Sequence, residues 1–176
     1  VDMVMDTNGG LLHLLLGDGT FRGISLIDSS FQTPLGDGDV DRFLLASTGD
    51  VFAANGQGIV MWDGASWSTV ASSGSSATAP ALSIIEANGV VYAAIEGIGV
   101  VRYDIATAAA LSTWSSANNL HSDTITTMAI SGNQLMLGSP DNGLARFDFV
   151  AGFWLSTWTS SNWLASDAIA GVQRVG

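Results

Sequence analysis

The chain has no cysteine and no lysine among its 176 residues. Without cysteine there are no disulfides and no thiolate metal ligands, and the redox compartment is left open. All five bases are arginine (Arg22, Arg42, Arg102, Arg146 and Arg174) against 16 acids, a formal charge of −11. Five scattered arginines cannot assemble a basic stripe, which argues against a nucleic-acid partner. Long apolar runs are missing too. The greasiest, Leu11 to Leu16, is six residues long and contains His13, far short of the roughly 18 residues that a membrane-spanning helix needs. No charged segment followed by an apolar one opens the chain, which starts at Val1 rather than methionine, and we read it as a processed chain or an excised piece. Histidine is limited to His13 and His121. With no HExxH, no nucleophile elbow and no phosphate-cradling loop, no specific enzyme is indicated and no catalytic residue is assigned.

Glutamate is nearly absent as well: Glu86 and Glu96 stand beside fourteen aspartates. That bias belongs to acids placed in turns rather than on exposed helix faces. The lysine-free acidic composition and the 47% hydrophobic content fit a densely packed protein of an extracellular, cell-surface or periplasmic setting.

What is present is a repeat. Gly9, Gly49, Gly89 and Gly132 recur at spacings of 40, 40 and 43, each followed by an apolar segment, a second glycine turn and another apolar segment. Periods near forty residues built from short strands mark the blades of a β-propeller, so the expected fold is all-β with four-stranded antiparallel blades. Glycine interrupts the pattern every eight to ten residues and β-branched residues fill the gaps, which excludes a helical solenoid. In the third repeat the four strands are expected over Leu82 to Ala87, Val90 to Ile95, Val100 to Ile105 and Ala110 to Ser115, with Asn88-Gly89 as a hairpin turn.

The fourth repeat copies the third at an offset of 44. Leu111-Ser112-Thr113-Trp114 returns as Leu155-Ser156-Thr157-Trp158, Arg102-Tyr103-Asp104 as Arg146-Phe147-Asp148, and Asn118, Leu120, Ser122, Asp123 and Ile125 as Asn162, Leu164, Ser166, Asp167 and Ile169. The second repeat keeps Met61-Trp62-Asp63 and Trp67-Ser68-Thr69, and the first is the most degraded. The run Asn119 to Ile125, followed by Gly132-Asn133, Leu137-Gly138 and Asn142 to Asp148, resembles the propeller repeats in the sensor regions of two-component regulators, best over residues 81 to 170. The resemblance implies the architecture and, as an expectation, a sensory setting.

Counting strands gives a single partial propeller over residues 1–176, with blades at 1–39, 40–80, 81–123 and 124–167 and a further blade begun at 168–176. An arc that does not close leaves apolar sheet faces bare. Self-association or the remainder of a longer chain is therefore expected to cover them.

Strand order puts the connections between blades and those from the second to the third strand on one rim. Asp18, Asp37, Asp39, Asp41, Glu96, Asp123, Asp141 and Asp167 fall there. This acidic rim is the expected binding surface for a ligand, protein or carbohydrate, with Asp18, Glu96, Asp141 and Trp163 as candidate contacts. Asp37, Asp39 and Asp41 stand at alternate positions, as calcium ligands do in a tight loop, so calcium is the one ion considered; no cofactor is expected. Arg42 and Thr48 occupy the glycine and glutamate positions of an EF-hand, which excludes that motif. Asp123 and Asp167 recur, which assigns them to loop hydrogen bonding. Arg102 with Asp104 and Arg146 with Asp148 are expected to neutralise each other or a partner in a neighbouring blade. Trp114 and Trp158 recur and are expected to pack between blades; Trp154 and Trp163 do not recur and are candidates for an exposed stacking surface, although Trp154 is expected to share a strand face with Trp158. These readings favour a non-enzymatic binding or scaffold module. A fragment of a carbohydrate-active propeller enzyme and a structural repeat of a surface protein are the alternatives.

Overall fold

The computed structural model describes residues 40–63, 66–74 and 79–173 and, as backbone only, 2–6, 11–15, 21–25 and 31–32. Among the described residues sixteen strands form four sheets, each a simple antiparallel meander in chain order. The first holds β1 (Asp2–Asp6), β2 (Leu11–Leu15), β3 (Phe21–Ser25) and β4 (Phe31–Gln32), and the second β5 (Arg42–Leu45), β6 (Val51–Asn55), β7 (Gly58–Trp62) and β8 (Trp67–Ser72). The third holds β9 (Ala81–Ala87), β10 (Val90–Ile95), β11 (Gly99–Asp104) and β12 (Ala109–Trp114), and the fourth β13 (Thr127–Ser131), β14 (Gln134–Gly138), β15 (Leu144–Asp148) and β16 (Phe153–Trp158). The first strands stand side by side in series: β1 touches β5, β5 touches β9, and β9 touches β13. Among the described residues no contact of similar extent joins β13 back to β1, so the four sheets form an open arc.

Burial on both faces explains why the second strand of each blade reads as an apolar run rather than an alternation. Val91, Ala93 and Ile95 of β10 lie in a cluster with Phe52 and Ile59 of the second sheet. Tyr92 and Ala94, on the opposite face, join Leu135, Leu137 and Ala145 of the fourth. Odd and even positions of one strand thus serve two different interfaces, as a period of two requires. The Asn88-Gly89 turn closes β9 onto β10 with φ of +51° and +73°, the left-handed pair that a tight hairpin demands.

A bulge recurs between the third and fourth strands. The pairing register shifts between Ile59 and Val60, between Val100 and Arg102, and between Leu144 and Arg146. One extra residue in the fourth strand reverses which face its later side chains occupy. Trp154 pairs with Phe147 and faces the third blade, whereas Trp158 pairs with Leu144 and faces away from it. The expected shared face of the two tryptophans is therefore corrected: a strict alternation would hold only without the bulge.

Arg102 and Arg146 also depart from expectation, because neither pairs with its neighbouring aspartate. Arg102 donates from Nε and Nη2 to the Ser112 carbonyl, at 2.9 and 2.7 Å, and its guanidinium lies 4.2 Å over the Trp114 ring. Arg146 repeats this with the Ser156 carbonyl and Trp158, at 4.3 Å from the ring. The planar fork meets a carbonyl and a ring at once, which a carboxylate could not supply. The aspartates turn to the following loop instead: Asp104 accepts from the Thr107 amide, and Asp148 from those of Val150 and Ala151.

Past β16, residues 168–173 form no strand. The segment runs back over the fourth blade, where the Ile169 amide donates to the Ser139 carbonyl and the Val172 amide to Thr127 Oγ1.

The Ile169 side chain sits directly over Gly138. A Cβ added there would come within 2.6 Å of Ile169 Cγ2 and 2.7 Å of Thr127 Cγ2. The third blade solves the same cross-strand pair the other way, with Ala94 opposite Ser83 where the fourth has Gly138 opposite Thr127. The methyl group has moved across the pair. Gly138→Ala is expected to cost about 1–3 kcal/mol by overpacking, and Thr127→Ser in the same chain to recover most of that while keeping the hydroxyl that Val172 uses. Urea titration of the two single variants and the double tests it; an unchanged loss in the double variant would refute the exchange.

Candidate functional site

The rim that carries the candidate residues is held together by hydrogen bonds between its loops. The Gly97 amide, in the β10–β11 loop, donates to Thr124 Oγ1 in the connection from β12 to β13. That connection reaches the β14–β15 loop through His121, whose Nε2 lies 3.2 Å from the Gly143 carbonyl oxygen. The Gly143 amide in turn donates to the Asp167 carbonyl in the segment after β16. Glu96, Asp141 and Trp163 therefore sit on one continuous belt of loops across the third and fourth blades.

Most described acids of this rim are occupied by the loops themselves. Asp123 accepts from the Ser116 amide and hydroxyl, both at 2.6 Å, and Asp167 accepts from the amide and hydroxyl of Ser160. Each bond pair closes a loop in which an asparagine also bridges backbone groups. Asn118 Oδ1 accepts from the Ser115 amide while its Nδ2 donates to the Thr113 carbonyl, and Asn162 does the same with Thr159 and Thr157. The Asn-x4-Asp motif that repeats in the sequence is thus a brace for the connection between blades. Asp41 accepts from the Ala81 amide at 2.7 Å and so ties the second blade to the third.

Glu96 and Asp141 are different. Both are exposed, and among the described residues the one hydrogen bond to either carboxylate is from the adjacent Asn142 side chain to Asp141. Trp163 is 78% exposed, although its amide is anchored to the Thr159 carbonyl. These three candidates share the rim, and among the described residues no bond between loops uses the Glu96 or Asp141 carboxylate. Asp18, Asp37 and Asp39 lie outside the described residues. Among the described residues no group of three His, Asp or Glu side chains gathers into a cation site.

His121 is a rim residue whose importance its sequence position did not signal, because Ala165 replaces it in the fourth repeat. Its buried Nδ1 has no hydrogen-bond partner, so the neutral tautomer with hydrogen on Nε2 donates to Gly143. Burial pushes its pKa below the ordinary value of 6.5, and the Gly143 carbonyl and the Asp141 charge oppose that push only in part.

Trp154 is not a surface platform. It stacks edge-on against Trp114, with ring centres 4.9 Å apart, and against Phe147 at 5.2 Å. With Tyr92, 5.3 Å from Trp114, these rings form an aromatic knot between the third and fourth blades.

No protein-family model and no curated protein sequence matches the chain. Solved structures do. The extracellular domain of a B. thetaiotaomicron protein described as a hybrid two-component system, BT3049, superposes with a TM-score of 0.75 at 13% identity, over 98% of this chain and 24% of that one. The computationally designed protein Ika8 gives 0.66 at 15% identity, over 95% and 50% of the two chains. The extracellular domain of BT4673, described as a one-component system of the same organism, gives 0.63 at 21%, over 80% and 19%. The fold is that of a β-propeller. The chain spans 24%, 50% and 19% of the lengths of these three structures, so it corresponds to a section of each.

Proposed function

We propose that this propeller section is a non-enzymatic binding module of an extracellular, cell-surface or periplasmic protein, engaging a ligand or protein partner through the rim of Glu96, Asp141 and Trp163. The observation that carries the reading is the contrast among the rim acids. Asp123 and Asp167 are consumed by loop braces, whereas Glu96 and Asp141 hold exposed carboxylates and Trp163 an exposed indole on the same belt of loops. Two carboxylates attract a cation or a basic group, and a flat ring stacks on a sugar or a guanidinium. The description of two structural neighbours as extracellular domains supports the location. Asp37, Asp39 and Asp41 are a second, calcium-binding part of the same proposal.

Isothermal titration with calcium, basic peptides and an oligosaccharide panel tests the reading. Heat on titration with at least one of these is expected, and it should fall in Glu96→Gln/Asp141→Asn or in Trp163→Ala. A calcium response should instead fall in Asp41→Asn. Silence across all probes, or heat indifferent to every substitution, refutes the module; hydrolysis of a saccharide would turn it into an enzyme.

A further inference from the structure

The outer face of the fourth blade is built as an interface between blades, yet among the described residues no further sheet covers it. In the third blade, Trp114, Leu120, Ser122 and Ile125 are 8%, 3%, 8% and 0% exposed beneath the fourth. Their copies at the offset of 44 keep the same loop brace and the same stacked arginine, but Trp158, Leu164 and Ile169 are only half-buried and Ser166 is exposed. Phe153, at the outer edge of this face opposite Asp148, is 57% exposed. A sequence that preserves interface residues where nothing covers them preserves them for a cover of the same kind.

We infer that this face docks head-to-tail onto the β1–β4 sheet of a second copy of the chain. The established contact between the third and fourth blades is the template, since the same side-chain set already receives the incoming side of a four-stranded meander there. Within the arc the first sheet meets the second where β1 touches β5, and among the described residues no other sheet contacts it to a similar extent. A second copy therefore presents at its start what the fourth blade lacks at its end. Two copies also match a known span, because this chain covers 50% of the designed propeller protein. Such a contact is heterologous, so it closes into a ring or propagates as a filament. It depends on the fold alone and not on any rim ligand.

Sedimentation velocity of the 176-residue chain over a concentration series tests the inference, with hydrogen exchange over residues 160–172 as a second readout. The expected result is concentration-dependent association that slows exchange in this segment. Leu164→Glu/Phe153→Glu should weaken association by about tenfold or more, while Val150→Glu, in the turn between β15 and β16 on the opposite rim, should leave it unchanged. Far-ultraviolet circular dichroism of the double variant should match the parent, which separates lost docking from lost folding. A monomer at every concentration, or undiminished association of a folded double variant, would overturn the inference, the first by assigning the face to further blades of a longer polypeptide.

Discussion

Gly99→Ala is expected to destabilise the chain by about 3 kcal/mol or more, seen as a lower urea midpoint at an unchanged slope. Gly99 adopts φ +105° at the start of β11, and a Cβ there would sit 2.1 Å from the Trp114 carbonyl oxygen. That oxygen belongs to the backbone of the bulged fourth strand, so it cannot swing aside as a side chain would. The same crowding occurs at Gly58, 2.0 Å from the Ala71 oxygen, and at Gly143, 2.1 Å from the Trp158 oxygen. The second, third and fourth blades therefore each place a glycine where the third strand meets the backbone of the fourth. Gly89→Ala is the control: its φ is +73° but nothing lies within 4 Å of the added carbon. Only the backbone cost of about 1–2 kcal/mol is expected there. Equal losses at Gly89 and Gly99 would show that the close approach is not what constrains the bulge.

Trp114→Ala should cost about 3–5 kcal/mol, the range for deleting a buried large aromatic side chain. Trp114 is 8% exposed and touches Tyr92, Phe147 and Trp154, while Arg102 covers its remaining face. Its sequence equivalent Trp158 keeps the arginine, but among the described residues no blade packs over it. Trp158→Ala is expected to cost roughly 1 kcal/mol, chiefly the arginine stacking. The comparison is made by urea titration at protein concentrations low enough for association not to contribute. Similar losses at the two positions would mean that the repeat, rather than the neighbouring blade, sets the energetics of these tryptophans.

The two experiments separate two kinds of information. Gly99 matters through a local backbone geometry that the second, third and fourth blades repeat. Trp114 matters through its neighbour, and identical residues in an identical local setting are worth less where that neighbour is missing. Strand limits belong to the first kind: Val90 to Ile95 was legible as β10 because a strand buried on both faces must be apolar throughout and must end at its turn residues. The turn at Asn88-Gly89 was legible for a similar reason, since few residues tolerate two consecutive positive φ values.

The candidate site was less legible. Asp123 and Glu96 are both acids in rim loops, and only hydrogen bonding tells a brace from a free carboxylate. The repeated brace was visible as a recurrence of Asn, Ser and Asp, and recurrence correctly marked it as structural. Trp154 was misplaced because the bulge that flips Trp158 to the opposite face leaves no residue-type signature in the sequence. His121 gave no signal at all, since its partner is a backbone carbonyl in a loop of the next blade.

Sequence alone determined the repeat, the meander within each repeat and the turns that separate strands, because these depend on residue periodicity and local backbone preference over a few neighbouring positions. Tertiary structure alone decided which acids remain free, which tryptophan is covered and where the arc stops being buried. Those depend on groups some forty residues apart meeting across a blade interface, and no local pattern encodes whether the neighbour is there.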